Sequence, residues 1–109
     1  MQKQGISEVQ KTIMVQIGAR ELNFARFNVM WDSSNLNRII VQKGQKSLTI
    51  EYKRGSDLYD VKTFSMRGFK ISEDEQTGVY AEMLRPMIVD FFPNFEYVMD
   101  SIRIVGWNA

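Results

Sequence analysis

The chain has no cysteine, no histidine and only two prolines in 109 residues. Without cysteine there is no disulfide, no thiolate metal site and no thiol nucleophile. Without histidine the common general base at neutral pH is missing, and with it the Ser-His-Asp arrangement. The glycines form neither GxGxxG nor GxxxxGK[ST], so no phosphate-cradling loop is visible, and there is no GxSxG elbow. Long apolar runs are missing too. The longest, Met83 to Phe92, is interrupted by Arg85, Pro86 and Asp90, far short of the ~20 residues a spanning helix needs. Met1 to Gln10 is polar and carries no apolar leader core, so the expectation is a cytoplasmic protein with no membrane association. Any catalysis would fall to carboxylates, lysine or tyrosine. The reading is a non-enzyme with no cofactor and no metal.

What is present belongs to an ordinary globule: 44% hydrophobic and 25% charged residues. A chain of this length buries about two-thirds of its unfolded surface, enough for one core and one domain over residues 1–109. The formal charge of +1 hides an asymmetry. Residues 38–70 hold Arg38, Lys43, Lys46, Lys53, Arg54, Lys62, Arg67 and Lys70 against Glu51, Asp57 and Asp60. Residues 71–109 hold only Arg85 and Arg103 against Glu73, Asp74, Glu75, Glu82, Asp90, Glu96 and Asp100. The basic middle is either a surface for phosphates or a set of strands whose charges an acidic neighbour neutralises.

Periodicity then divides the chain. Ser7-Glu8-Val9-Gln10 is a capping box, and Ile6, Val9, Ile13 and Ile17 recur at helical spacing, so 7–18 reads as an amphipathic helix stopped by Gly18. Residues 21–31 fit a helix or a strand, and their aromatic content favours a strand. Asp32-Ser33-Ser34-Asn35 is a turn cluster. Strands follow at 36–43, 46–54 and 58–67, joined at Gly44-Gln45 and Gly55-Ser56-Asp57, with Leu48, Ile50, Tyr59 and Val61 on the buried face. Ser72-Glu73-Asp74-Glu75 reads as a second capping box. It opens a helix over 75–92, with Val79, Tyr80, Met83, Leu84, Met87, Ile88, Phe91 and Phe92 in one stripe and a kink or two abutting helices at Pro86. The expected fold is α+β: an antiparallel β-meander of about four strands, with an N-terminal and a C-terminal helix covering one face. Residues 93–109 read as a final strand or a docking tail.

Three segments carry a resemblance. Thr12-Ile13-Met14-Val15-Gln16-Ile17-Gly18 with the phenylalanine-rich stretch to Val29, Asp57-Leu58-Tyr59-Asp60-Val61-Lys62 through Met66-Arg67-Gly68-Phe69-Lys70, and Gly78-Val79-Tyr80-Ala81-Glu82-Met83-Leu84-Arg85 together resemble a family of small proteins encoded by tailed phages and prophages. The family's second glycine is Ala19 here, and its Thr-Gly-Ala-Lys stretch appears as Ala25-Arg26-Phe27-Asn28. The resemblance implies a phage or prophage origin, hence a host cytoplasm, and no assigned activity.

Candidate sites follow from chemistry. Glu73-Asp74-Glu75 diverge around a helix by about 100° each, so capping rather than metal binding is their expected role. Asp57 and Asp60 suit turn chemistry. Lys53 and Lys62 with Phe64, on one face of the meander by period two, make a candidate track for single-stranded nucleic acid, unless a bulge near Thr63 turns Phe64 into the core. Phe95, Tyr97, Ile102, Ile104 and Trp107 are candidate self-association residues, giving a homo-oligomer. Between these, a non-catalytic protein–protein interaction or self-assembling module is the favoured reading, because Glu51 and Asp60 interrupt the lysines.

Overall fold

A computed structural model describes residues 5–92. The chain begins with α1 (Glu8–Ile17) and α2 (Ala19–Phe24). Five strands follow, β1 (Asn28–Trp31), β2 (Arg38–Lys43), β3 (Lys46–Lys53), β4 (Leu58–Arg67) and β5 (Lys70–Val79). A 3-10 turn (Ala81–Met83) leads into α3 (Leu84–Phe91). The strands form one antiparallel sheet in chain order, β1-β2-β3-β4-β5. The α+β meander expected from the pattern is therefore present, with five strands in place of about four.

Period two sorts the sheet into faces. Ile39, Val41, Leu48, Ile50, Tyr59 and Val61 point inward and are buried. Ile13, Ile17, Leu22, Leu84 and Ile88 from the helices close over them in the same core cluster. Val79 and Phe92 join it, as the stripe predicts. Met83 and Tyr80 do not: they are 44% and 57% exposed.

Two element assignments are corrected. The stretch expected as a strand over 21–31 opens with a helix, because Gly18 (φ 72°) turns the corner and Ala19, Arg20, Glu21 and Leu22 are good helix formers. Only Asn28–Trp31 is strand. That helix ends in a Schellman arrangement: Phe27 N donates to Leu22 O at 2.9 Å and Arg26 N to Asn23 O at 3.0 Å. The second correction is larger. Residues 70–79 are strand, and Ser72-Glu73-Asp74-Glu75 caps nothing. The turn at Gly68 (φ 62°) returns the chain onto β4, where Glu75 lies opposite Lys62 and Glu73 opposite Phe64. A whole ladder of backbone bonds outweighs one capping box. The helix shrinks to Leu84–Phe91, and Pro86 falls in its first turn, where its missing N–H costs nothing. The apparent helical stripe above Leu84 is instead one core residue, Val79, delivered by a bulge.

The first capping box does more than start a helix. Gln10 is fully buried; its Oε1 accepts from Ser7 N at 2.9 Å. Its Nε2 donates to the carbonyls of Asp32, Arg38 and Asn35 at 3.0, 3.1 and 3.2 Å. The Ser7 hydroxyl donates to Leu36 O. One glutamine thus ties the start of α1 to the β1–β2 loop. At the other end, Arg85 of α3 donates to Ile17 O at 3.3 Å and pairs with Glu21 at 3.2 Å, lying where a Cβ on Gly18 would be.

Two substitutions separate packing from polar clamping in urea unfolding. Leu84→Ala is expected to cost about 2–5 kcal/mol by emptying a core site. Gln10→Leu adds apolar volume yet is expected to cost about 1–3 kcal/mol, because it strands buried carbonyls. A Gln10→Leu protein as stable as the parent would show that the clamp is dispensable.

Candidate functional site

The helices cover only the inner face of the sheet; among the described residues nothing covers the outer one. Cross-strand rows on that face read Arg38–Glu51–Asp60, Thr49–Lys62–Glu75 and Ser47–Phe64–Glu73. Lys53, Lys62 and Phe64 therefore share the face that period two assigns them. No bulge lies near Thr63; the one register shift between β4 and β5 falls between Tyr59 and Val61.

The charges on this face neutralise one another. Glu51 takes Arg38 and Lys53, each at 2.8 Å. Lys53 also reaches Asp60 at 3.7 Å, Arg38 reaches Asp32 at 3.4 Å, and Lys62 sits 4.0 Å from Glu75. The hydrogen bond from Lys53, then that from Arg38, holds the Glu51 carboxyl below its ordinary range, and Lys53 is raised in return. On the inner side, Lys43 donates to Ala25 O at 3.0 Å and Lys46 to Phe91 O at 3.1 Å. Those carbonyls close α2 and α3, so two more cations are spent as helix C-terminal caps. Of the eight basic groups in 38–70, only Arg54, Arg67 and Lys70 have no ion pair or hydrogen bond of their side chains among the described residues. A shallow groove of about 570 Å³ runs past Phe64, lined by Lys62 but also by Glu73, Asp74 and Glu75. It is a poor track for phosphates.

A cluster of exposed apolar groups, including the most exposed one among the described residues, Phe69, lies further along the same strands. β4 pairs with β3 as far as Ser65, and Met66 N still donates to Gln45 O in the β2–β3 turn at 3.0 Å, so Arg67 and the Gly68-Phe69 turn run on with β5 alone as a short two-stranded tip. Met66 stands opposite Ile71 on the outer face, next to Phe64. Phe69, in the turn, is fully exposed, with Ile71 58% and Met66 40% exposed. Arg67 and Lys70 flank the turn. Sequence reading passed over this cluster because it assigned 72–75 to a helix start, which leaves no ribbon to carry it. The signal was Gly68 followed by Phe69, an aromatic in a two-residue turn where a polar residue is usual.

β5 is one edge of the sheet, and it is guarded. Three successive acids, Glu73, Asp74 and Glu75, stand on it, and a bulge follows in which Gly78 adopts φ 66°. The extra residue turns Val79 into the core. The acids do not converge, and no metal-binding group of three is found among the described residues.

A second hollow, about 430 Å³, lies between α1 and the β3–β4 turn and is lined by Glu8, Gln16, Tyr52, Arg54, Asp57 and Tyr59. Tyr59 donates to Gln16 at 3.1 Å, and Tyr52 donates to Asp57, which holds a positive φ of 59° in the turn. The Asp57 hydrogen bond raises the Tyr52 hydroxyl and burial raises that of Tyr59, so neither ionises readily as a base. The candidate self-association residues Phe95, Tyr97, Ile102, Ile104 and Trp107 lie outside the described residues.

Two outcomes follow from the charge network. On single-stranded DNA, retention is expected to be weak, and Lys53→Gln with Lys62→Gln is expected to leave the log-affinity against log-salt slope unchanged. Two phosphate contacts would instead shallow it by about 1.4. The second concerns acid. A carboxyl whose folded pKa is depressed stabilises fully above its unfolded value, here 4.5, and loses that contribution as pH falls through the lower folded value. In urea titrations at a series of pH values, the parent should exceed Glu51→Gln in stability near neutrality, and the gap should close below pH 4.5.

Comparison of the chain with protein-family models, with curated proteins and with solved structures finds no match.

Proposed function

We propose that this chain is a non-catalytic protein–protein interaction module that docks a partner polypeptide through the ribbon of β4 and β5. The observation that carries this reading is the placement of Phe69, Ile71 and Met66, exposed together around the β4–β5 turn, whose tip reaches past the end of β3. Large apolar side chains gathered at a projecting tip cost solubility and need a reason. A fully exposed aromatic suits insertion into a pocket, as interface anchors do, with Arg67 and Lys70 placed to meet an acidic rim. The absence of cysteine and histidine from the sequence supports a module that binds rather than one that turns over. The resemblance to small phage-encoded proteins is compatible with such a role and supplies no partner. Single-stranded nucleic acid is the less supported reading, since Lys53 and Lys62 are each beside a carboxylate.

Photo-crosslinking from benzoylphenylalanine at position 69 tests this directly in cells that express the chain. The expected result is one discrete protein adduct, lost when Met66→Ser and Ile71→Ser are added, while the unfolding midpoint stays within a few degrees because those side chains are exposed. Adducts to nucleic acid, or none above background, would overturn the reading.

A further inference from the structure

The two edges of the sheet are treated differently. β5 is guarded by acids and a bulge, but β1 (Asn28-Val29-Met30-Trp31) carries no charge, no proline and no bulge. Trp31 and Met30 are 46% and 39% exposed on it. Its backbone is also turned outward. Asp32 N donates to Arg38 O at 3.3 Å in the register that pairs Trp31 with Ile39. Alternation along an antiparallel ladder then gives Met30 and Asn28 to β2 and leaves the N–H and C=O of Val29 and Trp31 facing an edge that no other strand among the described residues covers.

The residues that bracket this edge complement each other under a two-fold. An antiparallel pairing of two β1 strands that keeps each side chain on its own face must match residues of equal parity. Centred on Val29, it sets Asn28 opposite Met30, Phe27 opposite Trp31 and Arg26 opposite Asp32, each twice. The backbone then pairs: Val29 exchanges both bonds with Val29 of the second copy, and Trp31 N–H reaches the Phe27 carbonyl, with the Trp31 carbonyl left to solvent. The Phe27 N–H is not needed, being held by Leu22 O. Centring on Met30 would set Asp32 against Asn28 and leave Arg26 without its acid.

Arg26 supplies an independent reason. It occupies the left-handed position after α2 with φ 68°, where glycine is the unstrained choice. Among the described residues its guanidinium has no ion pair, and none of them accounts for an arginine there.

We infer that two copies of this chain join edge to edge through β1, in register about Val29, so that the five described strands of each form one continuous antiparallel sheet with Arg26 of each copy facing Asp32 of the other. This surface is at the opposite edge from the ribbon, so it neither needs nor excludes the ribbon's role.

The test uses the full chain and its lack of cysteine. Opposed Cα atoms in a hydrogen-bonded antiparallel pair are about 5.5 Å apart, inside the span of about 4.4–6.8 Å that a disulfide bridges. Val29→Cys is therefore expected to give a covalent dimer under mild oxidation. In Met30→Cys the two sulfurs sit on strand positions two residues apart, about 8 Å between Cα atoms, and stay free. Sedimentation should report a dimer for the parent. Arg26→Gly separates interface from fold: it is expected to raise the urea midpoint measured at low concentration, by relieving φ 68°, while weakening dimerisation roughly tenfold through two lost ion pairs. Arg26→Glu should weaken it further, and Phe69→Ser should leave it unchanged. A parent that stays monomeric at high concentration, a Met30→Cys dimer in place of the Val29→Cys one, or an Arg26→Gly protein that dimerises as well as the parent would each overturn the inference.

Discussion

Gln10 is the polar contact on which the two layers depend. A buried amide must find partners for two hydrogens and one oxygen, and here every partner is backbone, from Ser7 on one side and Asp32, Asn35 and Arg38 on the other. The loop that receives it leads directly into β2, so the position of α1 over the sheet is set by hydrogen-bond geometry as well as by packing. Apolar contact alone tolerates sliding; three carbonyls converging on one nitrogen do not. Arg85 repeats the device at the far end of α1, binding the last carbonyl of one helix and the acid of the next.

The same economy governs charge. A run of strands rich in lysine and arginine invites a phosphate-binding interpretation, yet placement consumes most of that charge. Lys43 and Lys46 lie on the inner face by parity and reach back to helix ends, each also over a phenylalanine ring, Phe27 at 4.5 Å and Phe91 at 5.1 Å. Arg38 and Lys62 face outward into carboxylates one strand away, and Lys53 into Glu51 on its own strand and Asp60 on the next. Composition counts charges, whereas function depends on which of them have no neighbour.

What the residues disclosed in advance was local. Alternation in 46–53 and 58–67 is unambiguous because one face is buried and one is wet, and the Ser7-Gln10 box is a contact within four residues. The failures have a common physical origin. Residues 70–79 have little intrinsic strand character, and their strand exists because β4 is there to pair with it. Residues 21–31 hold aromatic content that suits a strand, but the left-handed corner at Gly18 fixes the direction of the chain first and sets 19–24 into a helix. The candidate face was legible, since Lys53, Lys62 and Phe64 do share it with Glu51 and Asp60; the pairing of Lys62 with Glu75 was not, because Glu75 comes within reach only once β5 is a strand. The strain at Arg26 leaves no mark on the sequence at all.

Strand order has a kinetic meaning. Every pairing in this sheet joins neighbours along the chain, across turns as short as Gly44-Gln45 and Gly68-Phe69, so each ladder closes a small loop. The contacts that seat the helices span far more chain: Gln10 to Arg38 is 28 residues, Glu21 to Arg85 is 64 and Ile17 to Arg85 is 68. Loop-closure entropy places these last. Until α3 has been made, the inner face of Ile39, Val41, Leu48, Ile50 and Val61 lacks the cover that Leu84 and Ile88 supply. During synthesis that interval is the time the ribosome takes to travel from β4 to Phe92. A cell must keep such a sheet apart from its copies over that interval, and the three acids of β5 emerge from the ribosome just after the last apolar strand.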